Sequence, residues 1–182
     1  MRESVCIELL KNREEYDSVV TVIRSAHAEL HEKGVDLNTA SITKEEILNK
    51  LGSKGVTLVA RLNKEIVGTL SISIECIRKW HYKGDCAIIR FVAVHPNHQG
   101  KHIASMLMEA AVKQMVTYPV SMVTTAENNH NAIQLYKKYG YISTERFMYN
   151  NHYCISLSKW ASFRRRMVAR LVYLRSIKRT SK

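Results

Sequence analysis

The run DCAIIRFVAV, residues 85–94, constrains the fold of this chain most because it is almost continuously apolar. Such a run is typical of a β-strand that is covered on both faces of its sheet. A loop with one proline, one glycine and three histidines follows, and residues 103–116 then show apolar positions at helical spacing. A buried strand, a loop and a helix in this order predict a sheet that carries packed helices.

The remaining chain alternates between strand and helix patterns in the order βααβββαβαββ. We predict helices at residues 12–34, 43–52, 103–116 and 128–140. We predict strands at residues 5–10, 85–94, 119–125, 141–149 and 152–160, and a hairpin at 55–76 around the Asn63-Lys64 turn. A chain of 182 residues, 46% of them hydrophobic, can bury one substantial core. The sequence therefore predicts a single mixed α/β (α+β) domain with helices on both faces of its sheet.

The junction before the third predicted helix has the features of an anion-binding site. The first backbone N–H groups of a helix lack intrahelical partners, and the helix dipole favours negative charge there. Gly100 lets a ligand approach closely because it has no Cβ, and Lys101 adds a cation at the rim. The chain contains neither the glycine-rich Rossmann fingerprint nor the Walker A sequence. These residues predict a phosphate-carrying ligand of another kind.

Two ordered segments resemble the acyl-CoA binding segments of the GNAT superfamily of N-acyltransferases. Residues 91–112, FVAVHPNHQGKHIASMLMEAAV, are similar to a V-x-V-x-P strand end followed by Q/R-x-x-G-x-G/A at a helix start. Residues 128–141, NNHNAIQLYKKYGY, are similar to the family pattern N-x-x-A-x-x-L-Y-x-x-x-G-F/Y. The resemblance implies acetyl-CoA as co-substrate, no metal, and a mostly antiparallel mixed sheet with a splayed central strand pair.

The resemblance also implies roles for individual residues. Tyr136 is implied to be the general acid that protonates the departing thiolate, since a phenol of pKa near ~10 can hydrogen-bond to a thiolate whose conjugate acid has a pKa near ~8.5. The implied cofactor-binding residues pair with the pantetheine arm (Val92, Ala93, Val94), surround the pyrophosphate with backbone N–H groups (Gln99, Gly100, Lys101, His102, Ile103, Ala104) or hydrogen-bond to the arm (Asn131).

The sequence departs from the family pattern at two positions. His102 stands where the motif normally has glycine, although its backbone N–H is still available. Arg90 stands where many members have a glutamate that serves as base. The acceptor ammonium must still lose a proton before it attacks, so a water chain or another carboxylate has to collect it. Glu75 and Asp85 are the candidate carboxylates, and each is also explained as an ordinary strand-end or turn residue.

Several of these residues also have simpler structural explanations. Asn131 could cap its helix, because NNHN offers three asparagines for that role. Tyr136 taken alone could be a core tyrosine with its hydroxyl at the surface. Trp80 and Tyr82 could line the acceptor pocket or be ordinary loop aromatics.

No metal site is predicted. His95, His98 and His102 have spacings of three and four, but Pro96 interrupts them and no carboxylate or cysteine lies between them. The four cysteines lack metal-like spacing, and three of them lie in apolar runs where a free thiol packs as a small hydrophobe. Scattered free cysteines, no recognisable signal peptide and no long apolar span predict a soluble, cytoplasmic protein.

The charge of the chain is concentrated near its end. The formal net charge is +12, and residues 159–182 contribute nine Lys and Arg and no acid, which leaves +3 for the rest. A nearly balanced body argues against a broad nucleic-acid face. We predict a domain at 1–159 and a basic amphipathic helix at 160–182. We favour packing of this tail on the domain or on a second subunit, as in a homodimer, over contact with nucleic acid or a membrane, which stays open.

The sequence thus predicts an N-acetyltransferase that moves an acetyl group from acetyl-CoA to a primary amine by direct attack, with a small molecule or a peptide as acceptor. One alternative is an acetyltransferase for protein N-termini or lysines. Another is a CoA-binding module with weak or no catalysis that acts through its basic tail.

Overall fold

The computed structural model describes residues 4–32, 39, 41–79, 82–149 and 152–161. The helices are α1 (Tyr16–Glu32), α2 (Lys44–Leu51), α3 (Ile103–Gln114) and α4 (His130–Lys138). The strands are β1 (Cys6–Leu9), β2 (Val56–Leu62), β3 (Glu65–Lys79), β4 (Tyr82–Val94), β5 (Val120–Ala126), β6 (Ile142–Tyr149) and β7 (His152–Trp160). Short 3-10 turns lie at Arg13–Glu15 and Pro96–His98. The predicted order and the predicted mixed, mostly antiparallel α/β class are confirmed.

The chain forms two compact units, and the long strands β3 and β4 contribute residues to both. The first unit contains residues 1–73 and 89–114, and the second contains residues 74–88 and 115–182. Each unit has its own strand pairing and its own buried residues, and each is described separately below.

In the first unit, β2 pairs antiparallel with both β1 and β3, and helices cover both faces. Val59 on β2 is fully buried in the apolar cluster that α1 and α2 form. Gly68 on β3 lies under α3, where a Cβ would come within 3.0 Å of Ile103 and 3.2 Å of Leu107. Glycine therefore allows close packing of α3 on the sheet, because a larger residue would require these side chains to shift by a few tenths of an ångström. The prediction of helices on both faces is confirmed.

The helix α2 illustrates how local sequence defines an element. The Thr43 hydroxyl accepts a hydrogen bond from the Glu46 N–H at 3.2 Å, and the Glu46 carboxylate accepts one from the Thr43 N–H at 2.9 Å. This reciprocal capping box satisfies two of the orphan donors at the helix start. Gly52 ends the helix with φ +62°, as its position after the last periodic residue predicts.

In the second unit, β7 pairs antiparallel with both β5 and β6. Tyr82 and Trp160 pack edge to face in the core, with ring centroids 6.0 Å apart. The strand β4 accordingly starts at Tyr82, three residues before the start that we predict from the run of residues 85–94. The strand β7 ends at Trp160, and the tail prediction for residues 162–182 lies outside the described residues.

A buried histidine on α1 gives the first testable prediction. His27 is 7% exposed, its Nδ1 hydrogen-bonds with the Thr39 hydroxyl, and burial lowers the pKa of His27 from 6.5 to about 4. The folded state therefore favours the neutral imidazole. The contribution of His27 to the free energy of unfolding is complete above pH ~6.5 and is lost as the pH falls towards about 4. Between pH 7 and pH 4, we expect the free energy of unfolding of the wild type to fall by about 3 kcal/mol more than that of His27→Gln, as measured by urea unfolding. Equal losses in the two proteins would contradict this assignment.

Candidate functional site

The end of β4 in the first unit contains a strained residue that the sequence analysis missed. Phe91 has φ +52°, which is a genuine outlier for a bulky side chain. Its ring packs against the apolar cluster of α1 and α2, with Lys50 Nζ 5.8 Å from the ring centroid. Backbone strain of this kind is held in place only by surrounding structure and concentrates at functional sites. No periodicity or propensity in the sequence signals it, since phenylalanine disfavours positive φ.

The predicted pantetheine-binding strand follows Phe91 directly. Ala93 is buried, whereas Val92 and Val94 are half-buried. The N–H of His95 donates to the Val67 carbonyl at 2.9 Å, so β3 remains paired up to the end of β4.

The loop between β4 and α3 places two residues in the left-handed region. Gly100 has φ +75°, and an added Cβ would have no heavy atom within 4 Å. His102 has φ +60°, although it is not a glycine. Glycine, which the family motif has at this position, adopts a positive φ most readily, and histidine is among the residues that tolerate it better than most. The space beside Gly100 is therefore open to a ligand, and His102 is exposed.

The start of α3 directs backbone donors into this loop. The first helical hydrogen bond runs from the Met106 N–H to the His102 carbonyl at 3.1 Å, so the N–H groups of Ile103 and Ala104 precede it and have no intrahelical partner. Lys101 Nζ lies 3.4 Å from His98 Nδ1 on the same side of the chain. Unpaired N–H groups, the helix dipole and a nearby ammonium all attract an anion.

The backbone conformation of His102 gives a second prediction. Removing its Cβ relieves a left-handed strain of about 1–2 kcal/mol, which the larger entropy of an unfolded glycine offsets by about 0.5–1 kcal/mol. We expect His102→Gly to raise the free energy of unfolding by about 0.5 kcal/mol and the β-branched His102→Val to lower it by about 1 kcal/mol. Urea unfolding at pH 8 measures both. If the glycine and valine variants were equally stable, the left-handed assignment would be wrong.

In the second unit, α4 carries both residues that the second motif implies. Asn129 is the helix cap, because its Oδ1 accepts from the Ala132 N–H at 3.3 Å and its Nδ2 donates to the Thr125 hydroxyl at 3.2 Å. The capping role that we considered for Asn131 is therefore wrong, since Asn129 fills it. The Asn131 side chain is exposed in the first turn of the helix.

Tyr136 is fixed by the way in which α4 ends. The Tyr141 N–H donates to the Tyr136 carbonyl at 3.2 Å, and the Gly140 N–H donates to the Lys137 carbonyl at 3.0 Å. Gly140 has φ +86°, so these bonds form a Schellman motif. The two tyrosine rings meet edge to face with centroids 6.3 Å apart, and the Tyr141 hydroxyl hydrogen-bonds with Ser121 at 2.8 Å. The G-Y ending of the motif thus has a physical role, which is to hold the Tyr136 ring.

The electrostatics around Tyr136 keep its hydroxyl protonated. Tyr136 is 4% exposed, and burial, followed by the neighbouring Tyr141, raises the pKa of Tyr136 well above its ordinary value of 10. Burial also raises the pKa of Tyr141 to about 12. Burial and the charge of Glu75 together raise the pKa of the Cys86 thiol to about 12, so this thiol is a poor nucleophile.

The other predicted side chains lie as follows. Glu75 and Asp85 are both exposed in the second unit, whereas Arg90 belongs to the first unit and its Nε donates to the Ser73 hydroxyl at 2.8 Å. Tyr82 is a buried residue of β4 that packs against Trp160, so the alternative of an ordinary exposed loop aromatic is wrong for this residue. The prediction for residue 80 lies outside the described residues.

Two further properties concern the described part of the chain. Within it, no group of three or more His, Cys, Asp or Glu side chains is arranged to hold a metal ion. No helix among the described residues is both long enough and apolar enough to cross a membrane.

The profile of the acetyltransferase (GNAT) family matches residues 22–141, which contain both motif segments and every residue of the loop and of α4 described above. The chain belongs to this family of acetyltransferases. Acetyl-CoA, which the motifs imply as co-substrate, is thereby confirmed at the level of the family.

The chain is also similar to individual proteins, at 30% sequence identity or less in the examples that follow. The chain is 30% identical over 103 residues to the spore coat polysaccharide biosynthesis protein SpsD of Bacillus subtilis (strain 168), and the match covers 56% of this chain and 33% of that protein. A putative acetyltransferase from Salmonella typhimurium, solved with acetyl-CoA, has a TM-score of 0.66 at 17% identity, over 87% of this chain and 95% of that one. The PaiA N-acetyltransferase of Thermoplasma acidophilum, solved with coenzyme A, has a TM-score of 0.63 at 17% identity, over 84% and 98%. These two structures share the fold of the chain.

Proposed function

We propose that this protein is an N-acetyltransferase in which acetyl-CoA is bound by backbone N–H groups at residues 100–104 and a primary amine attacks the thioester directly. The Gln99 N–H, to which the resemblance gives the same role, donates instead to the Pro96 carbonyl at 3.2 Å. The observation that supports this most strongly is the loop before α3. Gly100 and His102 are both left-handed, the space beside Gly100 is open, and the Ile103 and Ala104 N–H groups have no intrahelical partner. A pyrophosphate supplies the negative charge and the acceptors that such a loop favours.

In this proposal, Tyr136 donates a hydrogen bond to the sulfur of the departing thiolate. The raised pKa of Tyr136 means that the phenol stays protonated at every physiological pH. Full transfer of its proton to a thiolate whose conjugate acid has a pKa near ~8.5 is therefore unfavourable, and hydrogen bonding is the favoured mode of stabilisation. This refines the general-acid role that the resemblance implies, and solvent then protonates the thiolate. Asn131 is proposed as a hydrogen-bond donor to the pantetheine arm.

The amine must lose a proton during the reaction, and we propose that water collects it. Arg90 cannot act as a base, because a guanidinium stays protonated in proteins. Glu75 and Asp85 are exposed, so neither is a buried carboxylate of the kind that serves as a dedicated general base.

For the acceptor, we propose a small-molecule primary amine. The partial match to a protein of polysaccharide biosynthesis supports an amino sugar or a related polar amine as one member of this class. We further propose a cytoplasmic location, which the absence of disulfides among the four cysteines supports. A homodimer and a packed tail remain proposals from the sequence.

The direct test is release of CoA from acetyl-CoA in the presence of a panel of primary amines, with mass spectrometry of the acetylated product. We expect at least one amine to give a product that is about 42 Da heavier, because an acetyl group replaces one hydrogen of the amine. If acetyl-CoA binds but no amine or peptide N-terminus is acetylated, the alternative of a CoA-binding module without catalysis replaces this proposal.

A further inference from the structure

An arginine from β6 holds the junction between β5 and α4 in the second unit. Arg146 Nε and Nη2 each donate to a carboxylate oxygen of Glu127 at 2.8 Å, so the pair is bidentate. Arg146 Cζ lies 3.6 Å from the centroid of the Tyr153 ring, and the Glu127 N–H donates to the Tyr153 carbonyl at 2.8 Å. Each of these three residues therefore contacts the other two, and we call Glu127, Arg146 and Tyr153 the junction clamp.

The junction clamp lies on the face of the sheet that carries the cap of α4. Ile155 on β7 is opposite both Thr125 on β5 and Arg146 on β6, so these side chains point to the same face. The Thr125 hydroxyl accepts a hydrogen bond from the α4 cap, Asn129, at 3.2 Å. On this face, the Arg146 side chain extends across β7 to reach Glu127, the first residue after β5.

The junction clamp differs from an ordinary surface ion pair. Most exposed pairs contribute little to stability, because water screens them and both side chains lose conformational freedom. The Arg146 and Glu127 side chains are 21% and 40% exposed, and the Tyr153 ring stacks against the guanidinium. The hydrogen bonds from Arg146 lower the pKa of Glu127, so this carboxylate stays ionised at neutral pH. A planar, stacked and bidentate cation therefore holds Glu127 in one orientation.

The junction clamp fixes the chain just before α4 begins. Glu127 is two residues before the cap, Asn129. The Asn129 N–H donates to the Ala126 carbonyl at 3.0 Å, which closes a tight turn around Glu127. The helix α4 has nine residues, and isolated helices of this length are marginal in water, so its first turn depends on such anchors. Asn131 lies in this first turn, and its backbone position follows from where the helix begins.

We propose that Arg146 is a positioning residue for cofactor binding, which acts through Glu127 and the start of α4 to hold Asn131 in place for the pantetheine arm. This inference rests on the role that the proposed function gives to Asn131. Without the junction clamp, the first turn of α4 has more conformations available, and Asn131 loses more conformational freedom when it hydrogen-bonds to the arm. The phosphates of the cofactor are proposed to bind in the first unit, so their contribution to affinity does not depend on the junction clamp.

Two ligands that differ only in the arm test this inference by calorimetry. They are CoA and 3′-phospho-ADP, which is CoA without its pantetheine group. We expect Arg146→Gln to raise the Kd for CoA about 10-fold, the equivalent of about one hydrogen bond, and to change the Kd for 3′-phospho-ADP less than about 2-fold. Arg146→Lys keeps the charge without the bidentate fork, so its Kd for CoA should lie between those of the wild type and of Arg146→Gln. Equal changes for both ligands would indicate a general structural role and would overturn the inference.

A double-mutant cycle tests whether Arg146 acts through Asn131. Asn131→Ala alone should also raise the Kd for CoA about 10-fold, because it removes the proposed hydrogen bond. In the Asn131→Ala background, Arg146→Gln should add less than about 2-fold, because the interaction that the junction clamp supports is already lost. A loss as large as in the wild-type background would mean that the two residues act independently and would contradict the inference.

Lys79→Gln is the matched control, because it also removes a cation that pairs with a carboxylate in the second unit. Lys79 Nζ lies 2.7 Å from the Glu145 carboxylate on β6. Glu145 directly precedes Arg146, so its side chain points to the opposite face of the sheet, away from the junction clamp. The control should keep the Kd for both ligands within about 2-fold of the wild type. If it weakened CoA binding as much as Arg146→Gln does, the inference would be wrong.

Failure of the proposed reaction gives a different result. If CoA binds but no amine is acetylated, the reaction is contradicted and the two binding tests still decide the role of Arg146. Hydrogen exchange of the free protein tests the junction clamp without any ligand. The N–H groups of Ala132 and Ile133 donate to Asn129 in the first turn of α4, at 3.3 and 3.1 Å. We expect both to exchange at least about 5-fold faster in Arg146→Gln than in Lys79→Gln, and equal rates would overturn the positioning role.

Discussion

Tyr136→Phe is expected to lower kcat about 10- to 100-fold and to change the Kd for acetyl-CoA less than 2-fold. The variant removes only the hydroxyl, and a hydrogen bond to a charged group such as a thiolate contributes about 1.5–3 kcal/mol. That bond forms only as the thiolate leaves, so its loss raises the barrier without weakening the bound cofactor. The buried ring keeps its edge-to-face contact with Tyr141, so the fold is preserved.

Steady-state kinetics with the best amine of the panel and calorimetry with acetyl-CoA measure the two effects separately. Tyr149→Phe is the matched control, because Tyr149 is 53% exposed on β6 and lies outside the motif. The control should keep wild-type kcat. Full turnover of Tyr136→Phe over the whole pH range would remove Tyr136 from the mechanism.

Gly100→Val is expected to raise the Kd for acetyl-CoA at least 100-fold. Its φ of +75° is unfavourable for any β-branched residue, which costs about 1–3 kcal/mol if the conformation is kept. The valine side chain would also fill the open space in which the pyrophosphate is proposed to lie. Either the loop shifts and the N–H groups of residues 100–104 lose their arrangement, or the side chain blocks the ligand.

Gly52 provides a matched control for this variant. It also has a left-handed φ, +62°, and an added Cβ there meets no heavy atom within 4 Å. Gly52→Val should therefore also destabilise the fold in urea unfolding, while the Kd for acetyl-CoA stays within 2-fold of the wild type. If Gly100→Val bound acetyl-CoA as tightly as Gly52→Val, the loop would not be the phosphate-binding site.

Most of the fold was predictable because its elements have strong local signals. The order of helices and strands follows from periodicity, from the Thr43 and Glu46 capping box and from the glycine that ends α2. The start of β4 was placed late because residues 82–84 are less apolar than the run that follows. Tyr82 joins the strand for a tertiary reason, its packing against Trp160 in the second unit.

The sequence predicted the candidate site only where the residue type that a motif prefers indicates the backbone conformation. The left-handed φ of His102 agrees with the glycine of the family pattern. No residue type in the sequence indicates the left-handed φ of Phe91, because phenylalanine disfavours this conformation and only the surrounding packing holds it. Likewise, any of the three asparagines at positions 128, 129 and 131 could cap α4, and only the geometry of Asn129 decides between them.

The central claim is that the main-chain N–H groups of residues 100–104 bind the pyrophosphate of acetyl-CoA. Two-dimensional ¹H–¹⁵N NMR of the labelled protein, titrated with CoA, tests this claim most directly. We expect the amides of Gly100, Lys101, His102, Ile103 and Ala104 to shift most, because N–H groups that gain a phosphate acceptor are strongly deshielded. Saturation with CoA that leaves these five amides unmoved would contradict the account.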